Sequence, residues 1–143
     1  MSTSSNRHRR LAELRGHIAE VVGPHGLIDS PEEKRPYLRE ERGRYFGQTP
    51  FVVRPASTEE VSRVVALCAQ AEVPIVPQGG NTGLVGGSIP HEQGEEILLS
   101  LGRMNRIRAL DPENFTITVE AGCILQQIQE AAAEVDRLFP LSL

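Results

Sequence analysis

Residues 77–90 read Pro-Gln-Gly-Gly-Asn-Thr-Gly-Leu-Val-Gly-Gly-Ser-Ile-Pro, a stretch that holds five of the chain's 13 glycines and no charged side chain. It constrains the fold more than any other segment. Glycine inside a helix or strand costs roughly 0.5–1 kcal/mol relative to alanine, so a stretch this rich in it reads as a loop. Without Cβ atoms, another group can approach the backbone closely. Successive N–H groups can then turn inward as a nest for an anion. Asn81, Thr82 and Ser88 add neutral hydrogen-bonding groups. Such a loop can hold a phosphate or pyrophosphate by dipoles alone, without a lysine. Composition by itself leaves the other reading open, a glycine-rich surface loop with no ligand.

Three known loop patterns do not fit. The phosphate loop GxxxxGK[ST] needs a lysine, which the stretch lacks. The dinucleotide fingerprint GxGxxG opens a helix. Here Gly80, Gly83 and Gly86 lack the GxG step, and Ile89-Pro90 opens none. The nucleophile elbow GxSxG fails because Pro90 stands where its last glycine belongs.

The length of 143 residues predicts one domain, and a 39% hydrophobic share suffices for one modest core. No apolar run approaches the roughly 20 residues of a membrane helix. The net charge of -4 argues against a dedicated nucleic-acid binder. Cys68 and Cys123 form no metal-ligand pattern and suggest no secreted framework, so two buried free thiols are expected. Met1 to Arg10 is Ser- and Arg-rich without an apolar core. It is not a secretory signal and reads as a short disordered basic tail, with a mitochondrial-type presequence as the alternative. The expected location is cytoplasmic. Peripheral attachment at the inner membrane and the mitochondrial matrix are the alternatives.

Leu11, Leu14, Ile18 and Val21 recur on one helix face, stopped by Gly23-Pro24. Residues 24–50 read as a polar arm with one helical turn around Glu33 to Glu41. Phe51-Val52-Val53 predicts a strand, and Ser57-Thr58-Glu59-Glu60 a capping box before the stripe Val61, Val64, Val65, Cys68, Ala71. Pro74-Ile75-Val76-Pro77 predicts a strand whose prolines place it at an edge or an end. Ile97 to Leu101 predicts another. Arg106–Leu110 and Phe115–Glu120 predict a hairpin across Asp111-Pro112-Glu113-Asn114, and Ile124 to Leu138 a final helix stripe. The result is an α/β or α+β domain with a βαβ start and a small mixed sheet. Residues 1–50 form the helix and arm, and 51–143 the loop-bearing unit.

Val53-Arg54-Pro55-Ala56-Ser57-Thr58-Glu59-Glu60-Val61, followed by the glycine stretch to Ser88, resembles a known family. The likeness is to the N-terminal FAD-binding region of the flavoproteins related to vanillyl-alcohol oxidase. Within them the chain is most similar to the FAD-linked D-2-hydroxyacid dehydrogenases: D-lactate dehydrogenases, the glycolate oxidase FAD subunit and D-2-hydroxyglutarate dehydrogenases. Arg42-Gly43-Arg44-Tyr45, Leu99-Ser100-Leu101-Gly102-Arg103-Met104-Asn105, Thr118-Val119-Glu120-Ala121-Gly122 and Phe139-Pro140-Leu141-Ser142-Leu143 extend the agreement in order over residues 37–143.

The resemblance implies that Gly79, Gly80, Asn81, Thr82 and Gly83 cradle the FAD pyrophosphate. Gly86, Gly87 and Ser88 would complete the wrap. Pro77 would aim the loop, and Gln78 would lie on its rim. Gly122 would bring backbone to the cofactor, and Pro140 would open a segment passing the flavin. Each has a plainer reading: Asn and Thr are common turn residues, and Gly122 can simply begin a helix. In covalent members a His follows the Gly-Gly pair. Asn81 stands there, which implies non-covalent FAD.

The resemblance further implies oxidation of a D-2-hydroxy acid to a 2-oxo acid, with a quinone, cytochrome or electron-transfer flavoprotein as acceptor. That chemistry needs a base and cations for the substrate carboxylate. His8, His17, His25 and His91 supply no convincing base, and no His/Glu cluster suggests a metal. The family's catalytic residues lie further along the chain. The apolar end Leu138 to Leu143, in mid-motif, therefore leads us to expect a truncated chain, inactive alone. The alternative is a stand-alone or degenerate nucleotide- or phosphate-binding module without catalysis.

Overall fold

The structure is a computed structural model that describes residues 3–142, with side chains from residue 6 onward. Met1 and Ser2 of the expected tail, and Leu143 of the expected apolar end, lie outside the described residues. In chain order come α1 (Thr3–Val22), β1 (Leu27–Ile28), α2 (Pro31–Lys34), a 3-10 turn (Arg35–Tyr37), β2 (Val52–Val53), α3 (Thr58–Gln70), β3 (Ile75–Gln78), β4 (Ile97–Ser100), β5 (Ile107–Asp111), β6 (Thr116–Val119) and α4 (Leu125–Glu134). The class is the mixed α/β fold the sequence implies.

One sheet has the order β1-β2-β4-β3. β1 is antiparallel to β2, while β2, β4 and β3 run parallel. The crossover β2–α3–β3 leaves a gap that β4 fills. β3 is the free edge, as Pro77 requires, because proline has no N–H to donate to a second neighbour. Side chains alternate between faces. On one face Val53, Ile97 and Leu99 pack with Leu14, Ile18 and Val22 of α1 and with Val64 and Cys68 of α3. On the other, Val52 and Leu98 pack with Ile28, backed by Tyr37 and Leu38. Parallel strands covered on both faces read as unbroken apolar runs. A second, two-stranded sheet pairs β5 with β6.

α1 ends where Gly23 enters the left-handed region (φ +70) and its N–H reaches the Ala19 carbonyl at 3.0 Å. Its start corrects the sequence reading, because the helix extends back through the basic residues to Thr3. Extending a formed helix is far easier than starting one. Arg10 pairs with Glu72 at 3.3 Å, and Arg7 pairs with Glu95, fixing that turn to the body of the domain. α3 starts at the expected Ser57 cap, with Glu60 reaching back one residue further than in a standard capping box, to Ala56 rather than Ser57. Ser57 Oγ accepts the Glu60 N–H at 3.2 Å, while the Glu60 carboxylate accepts the N–H of Ala56 at 2.7 Å.

Five further details differ. The arm contains β1, whose Leu27 and Ile28 pair with Val53 and Val52. Its helical turn lies at Pro31–Tyr37, started by the Ser30 cap. Phe115 (φ +55) is a turn residue rather than the start of a strand, with the Asp111 carboxylate accepting the Glu113 and Asn114 N–H groups at 3.1 Å. α4 stops at Glu134 and Asp136 turns left-handed (φ +56), so Leu138 leaves the stripe and is 84% exposed. Both cysteines are free, but only Cys68 is buried; Cys123 is half-buried.

Candidate functional site

The C-terminal ends of three parallel strands share one edge of the sheet, the usual place for a ligand in open α/β folds. Arg54 follows β2, Gly79 follows β3, and Leu101-Gly102 follow β4. The Leu101 N–H donates to the Gln78 carbonyl at 2.9 Å, locking two of these ends together. Gly122 joins them. Its N–H donates to the Met104 carbonyl at 2.8 Å, and a Cβ there would lie 2.0 Å from the Leu101 carbonyl oxygen. Glycine at 122 is therefore demanded by packing.

The glycine loop leaves β3 and crosses the face opposite α3. It is braced against the arm. Gln78 is buried, not on a rim: its Nε2 donates to the Tyr37 and Ser88 carbonyls, each at 2.9 Å. Asn81 holds a left-handed conformation (φ +56) that asparagine tolerates. Its Nδ2 donates to the Arg39 carbonyl at 2.8 Å, and its Oδ1 accepts the Ser88 hydroxyl at 2.9 Å. The side chains of Gln78, Asn81 and Ser88 thus cross-brace the loop. Gly79, Gly80, Thr82 and Gly83 are exposed, so apart from the Thr82 hydroxyl the polar groups this turn offers are backbone ones.

The glycines divide into two kinds. Gly86 (φ +79) lies against the Tyr45 ring, 2.8 Å from where a Cβ would stand, so the chain's own fold needs it. Gly79, Gly83 and Gly87 have nothing within 4 Å of that position, and Gly80 only a Thr82 methyl at 3.9 Å. None of these four has a positive φ. The folded chain does not explain them.

Two buried carboxylates fix the surroundings. Glu40 accepts the N–H groups of Arg42 (2.7 Å) and Arg44, closing the turn that presents Tyr45. Those donors, Arg44 first, hold its pKa below the usual carboxylate range against the cost of burial. Glu120, two residues before Gly122, accepts the Arg106 guanidinium at 3.1 Å and that of Arg108 at 3.2 Å, as well as the Arg106 N–H at 3.0 Å. Chiefly through the Arg106 side chain, its pKa is lowered to about 2.

Pro77 and Pro140 are exposed. The tail near Pro140 folds back on α4, where Gln129 Nε2 donates to the Leu141 carbonyl at 2.8 Å. No hydrogen bond among the described residues joins it to the glycine loop. His91 Nδ1 lies 2.8 Å from Glu96 Oε1 beyond the loop. No group of three or more potential metal ligands occurs among the described residues, and no helix there is long and apolar enough to cross a membrane.

A parallel-strand edge carrying a braced, uncharged glycine loop is the framework of a nucleotide-binding domain. Residues 49–143 match the family described as FAD binding domain, and the chain belongs to that family. Over 127 residues it is 34% identical to a protein of Oryza sativa subsp. indica named probable D-2-hydroxyglutarate dehydrogenase, mitochondrial, covering 89% of this chain and 22% of that one. It is 33% identical over 120 residues to a D-lactate dehydrogenase of Anaerostipes hadrus, covering 83% of this chain and 25% of the relative. Among solved structures, alkyldihydroxyacetonephosphate synthase superposes with a TM-score of 0.77 at 22% identity, over 87% of this chain and 25% of that one. The chain thus spans about a quarter of the length of these proteins. The fold is the vanillyl-alcohol oxidase-type FAD-binding fold expected from the resemblance.

Proposed function

We propose that the chain binds FAD non-covalently and supplies the FAD-binding portion of an oxidoreductase that converts a D-2-hydroxy acid to a 2-oxo acid. D-lactate, glycolate and D-2-hydroxyglutarate are the candidate substrates. A quinone, a cytochrome or an electron-transfer flavoprotein is the candidate acceptor. The carrying observation is the set of glycines, Gly79, Gly80, Gly83 and Gly87, that open onto space and that the fold does not itself require. A backbone bare of Cβ atoms at a parallel-strand edge is what close approach of a diphosphate needs.

In this reading the N–H groups of Gly79 to Gly83 hold the pyrophosphate, and Thr82 adds its hydroxyl. Gly86, Gly87 and Ser88 shape the return of the loop, and Pro77 aims it. Gln78 and Asn81 act through the braces they make. Gly122 brings a second backbone segment to the edge, and Pro140 begins the passage toward the flavin. Bound FAD would accept the hydride of the substrate; this chain's residues bind and orient it. The unit comprises 51–143, with 1–50 as its support. Its two free thiols fit a reducing compartment, and we place the protein in the cytoplasm, with the inner-membrane surface and the mitochondrial matrix as the alternatives that cell fractionation decides between.

Asn81 supports non-covalent binding, because its amide is committed to Arg39 and Ser88 and is no nucleophile. Acid precipitation should release all flavin into the supernatant; flavin retained in the pellet contradicts this. For the loop, FAD titration of the wild-type chain and of Gly80→Asp is decisive. The carboxylate would set bulk and like charge beside the diphosphate. Binding should fall at least a hundredfold while the melting temperature stays within a degree or two. Equal affinity in the two chains refutes the cradle.

A further inference from the structure

The segment before β2 folds into a turn whose outward side chains the domain itself hardly uses. The buried Glu40 carboxylate closes the turn by accepting the N–H groups of Arg42 and Arg44, and Gly43 between them is left-handed (φ +64). A single antiparallel bridge joins Arg39 to Phe46 across the base, and the Gly47 N–H donates to the Leu38 carbonyl at 2.9 Å. Burying a carboxylate is costly unless its oxygens are satisfied, so the turn is built to keep one shape. Yet Tyr45 and Phe46, the two aromatic rings it carries, remain 44% and 55% exposed.

These rings share a groove of about 540 Å³ with Arg44 and with Val85 of the glycine loop, which is 83% exposed. The Arg44 guanidinium makes no hydrogen bond or ion pair among the described residues. That of Arg42 has only the attraction of Glu40, whose two oxygens already hold N–H groups. By contrast, Arg7, Arg10, Arg15, Arg106 and Arg108 each pair with a carboxylate. Arg39 lies over the Phe46 ring, 5.7 Å from its centroid. Three exposed arginines thus surround the rings, against Glu41 and Glu92 as the exposed acids of the turn and the groove. Ordered aromatic side chains beside arginine are the composition of a protein-binding hot spot, and apolar surface rimmed by charge marks an interaction site. Two guanidinium groups left free match carboxylates on the partner. The chain's net charge of -4 disfavours nucleic acid as the occupant.

We propose that the turn 39–46 and Val85 form a docking surface for an acidic protein, one of whose apolar side chains fills the groove while its carboxylates pair with Arg42 and Arg44. The patch is small, which suits a transient encounter. The surface goes beyond the cofactor reading and stands or falls independently of it.

The probe is a short synthetic peptide alternating glutamate with leucine, titrated into the isotopically labelled chain with and without FAD. A peptide alternating glutamine with leucine is the control. The glutamate peptide should shift the backbone amides of residues 39–46 and 84–86 saturably, and less tightly as salt is raised. The glutamine peptide should bind at least about tenfold more weakly. The double variant Arg42→Ser, Arg44→Ser should lose a similar factor at an unchanged melting temperature, because the bonds to Glu40 come from backbone N–H groups. Phe46→Ser should weaken the peptide, and Phe46→Tyr should restore it. Equal binding of the two peptides, or wild-type affinity in the double variant, overturns the proposal. So does the absence of saturable shifts, or their confinement to other residues. Displacement of the peptide by saturating FAD would give the face to the cofactor. Shifts at 39–46 on concentrating the chain alone would give it to a second copy, and the same shifts with phosphatidylcholine–phosphatidylserine vesicles but not with the peptide would give it to a membrane. Each of these three results also overturns the proposal.

Discussion

Gly80 and Gly86 are the same residue six positions apart, and the structure asks different things of them. Gly86 is held left-handed against the Tyr45 ring. Gly86→Ala should cost about 1–3 kcal/mol from strain and crowding, read as a fall in the urea midpoint. Gly80 faces open space. Gly80→Ala should change stability by less than about 0.5 kcal/mol and weaken only ligand binding. The reverse pattern would mean that the loop's glycines have been assigned to the wrong masters. Glu120 gives a pH-dependent prediction. Its folded pKa of about 2 lies below that of an unfolded glutamate, about 4.3. The stability it contributes is therefore fully present above the unfolded value and is lost as pH falls toward 2. Glu120→Gln should lower the urea midpoint by clearly more at pH 6 than at pH 2.5, where most of the charge's contribution is gone. An equal difference at both pH values would rule out the charge as the cause.

At the level of elements, segments with a pattern of their own were legible, the short strands β2, β3 and β4 included, while β1 was not. The stripes of α1 and α3 announce themselves because several turns must bury one face. β1 has two residues in a polar arm and exists only because β2 offers an edge to pair with. No local pattern could mark it. α4 was read too long because Leu138 fits the period, and periodicity does not register the left-handed Asp136 that ends the helix. Caps are local, and the Ser57 cap was readable; Ser57→Ala should destabilise the domain by about 1 kcal/mol, measured by urea unfolding, if its bond to the Glu60 N–H matters as the geometry says. The loop was readable as a glycine segment, but its bracing was not. Gln78 reaches Tyr37 and Asn81 reaches Arg39 across about forty positions of sequence, and no local pattern marks these braces.

For the whole molecule, one sheet edge gathers what the sequence scatters: Arg54, Gly79, Leu101 and Gly122 come from four segments and meet because three strands run parallel. Membership of the FAD binding domain family was legible from ordered motifs. The chain matches about a quarter of the length of its relatives, and that quarter holds the proposed cradle. It is tested most directly by recording backbone amide spectra of the isotopically labelled chain during FAD titration. The account predicts saturable shifts at residues 79–83, 86–88, 100–102 and 120–122, with α1 and the 112–115 turn unmoved. Shifts confined to other surfaces, or none at saturating FAD, would contradict it.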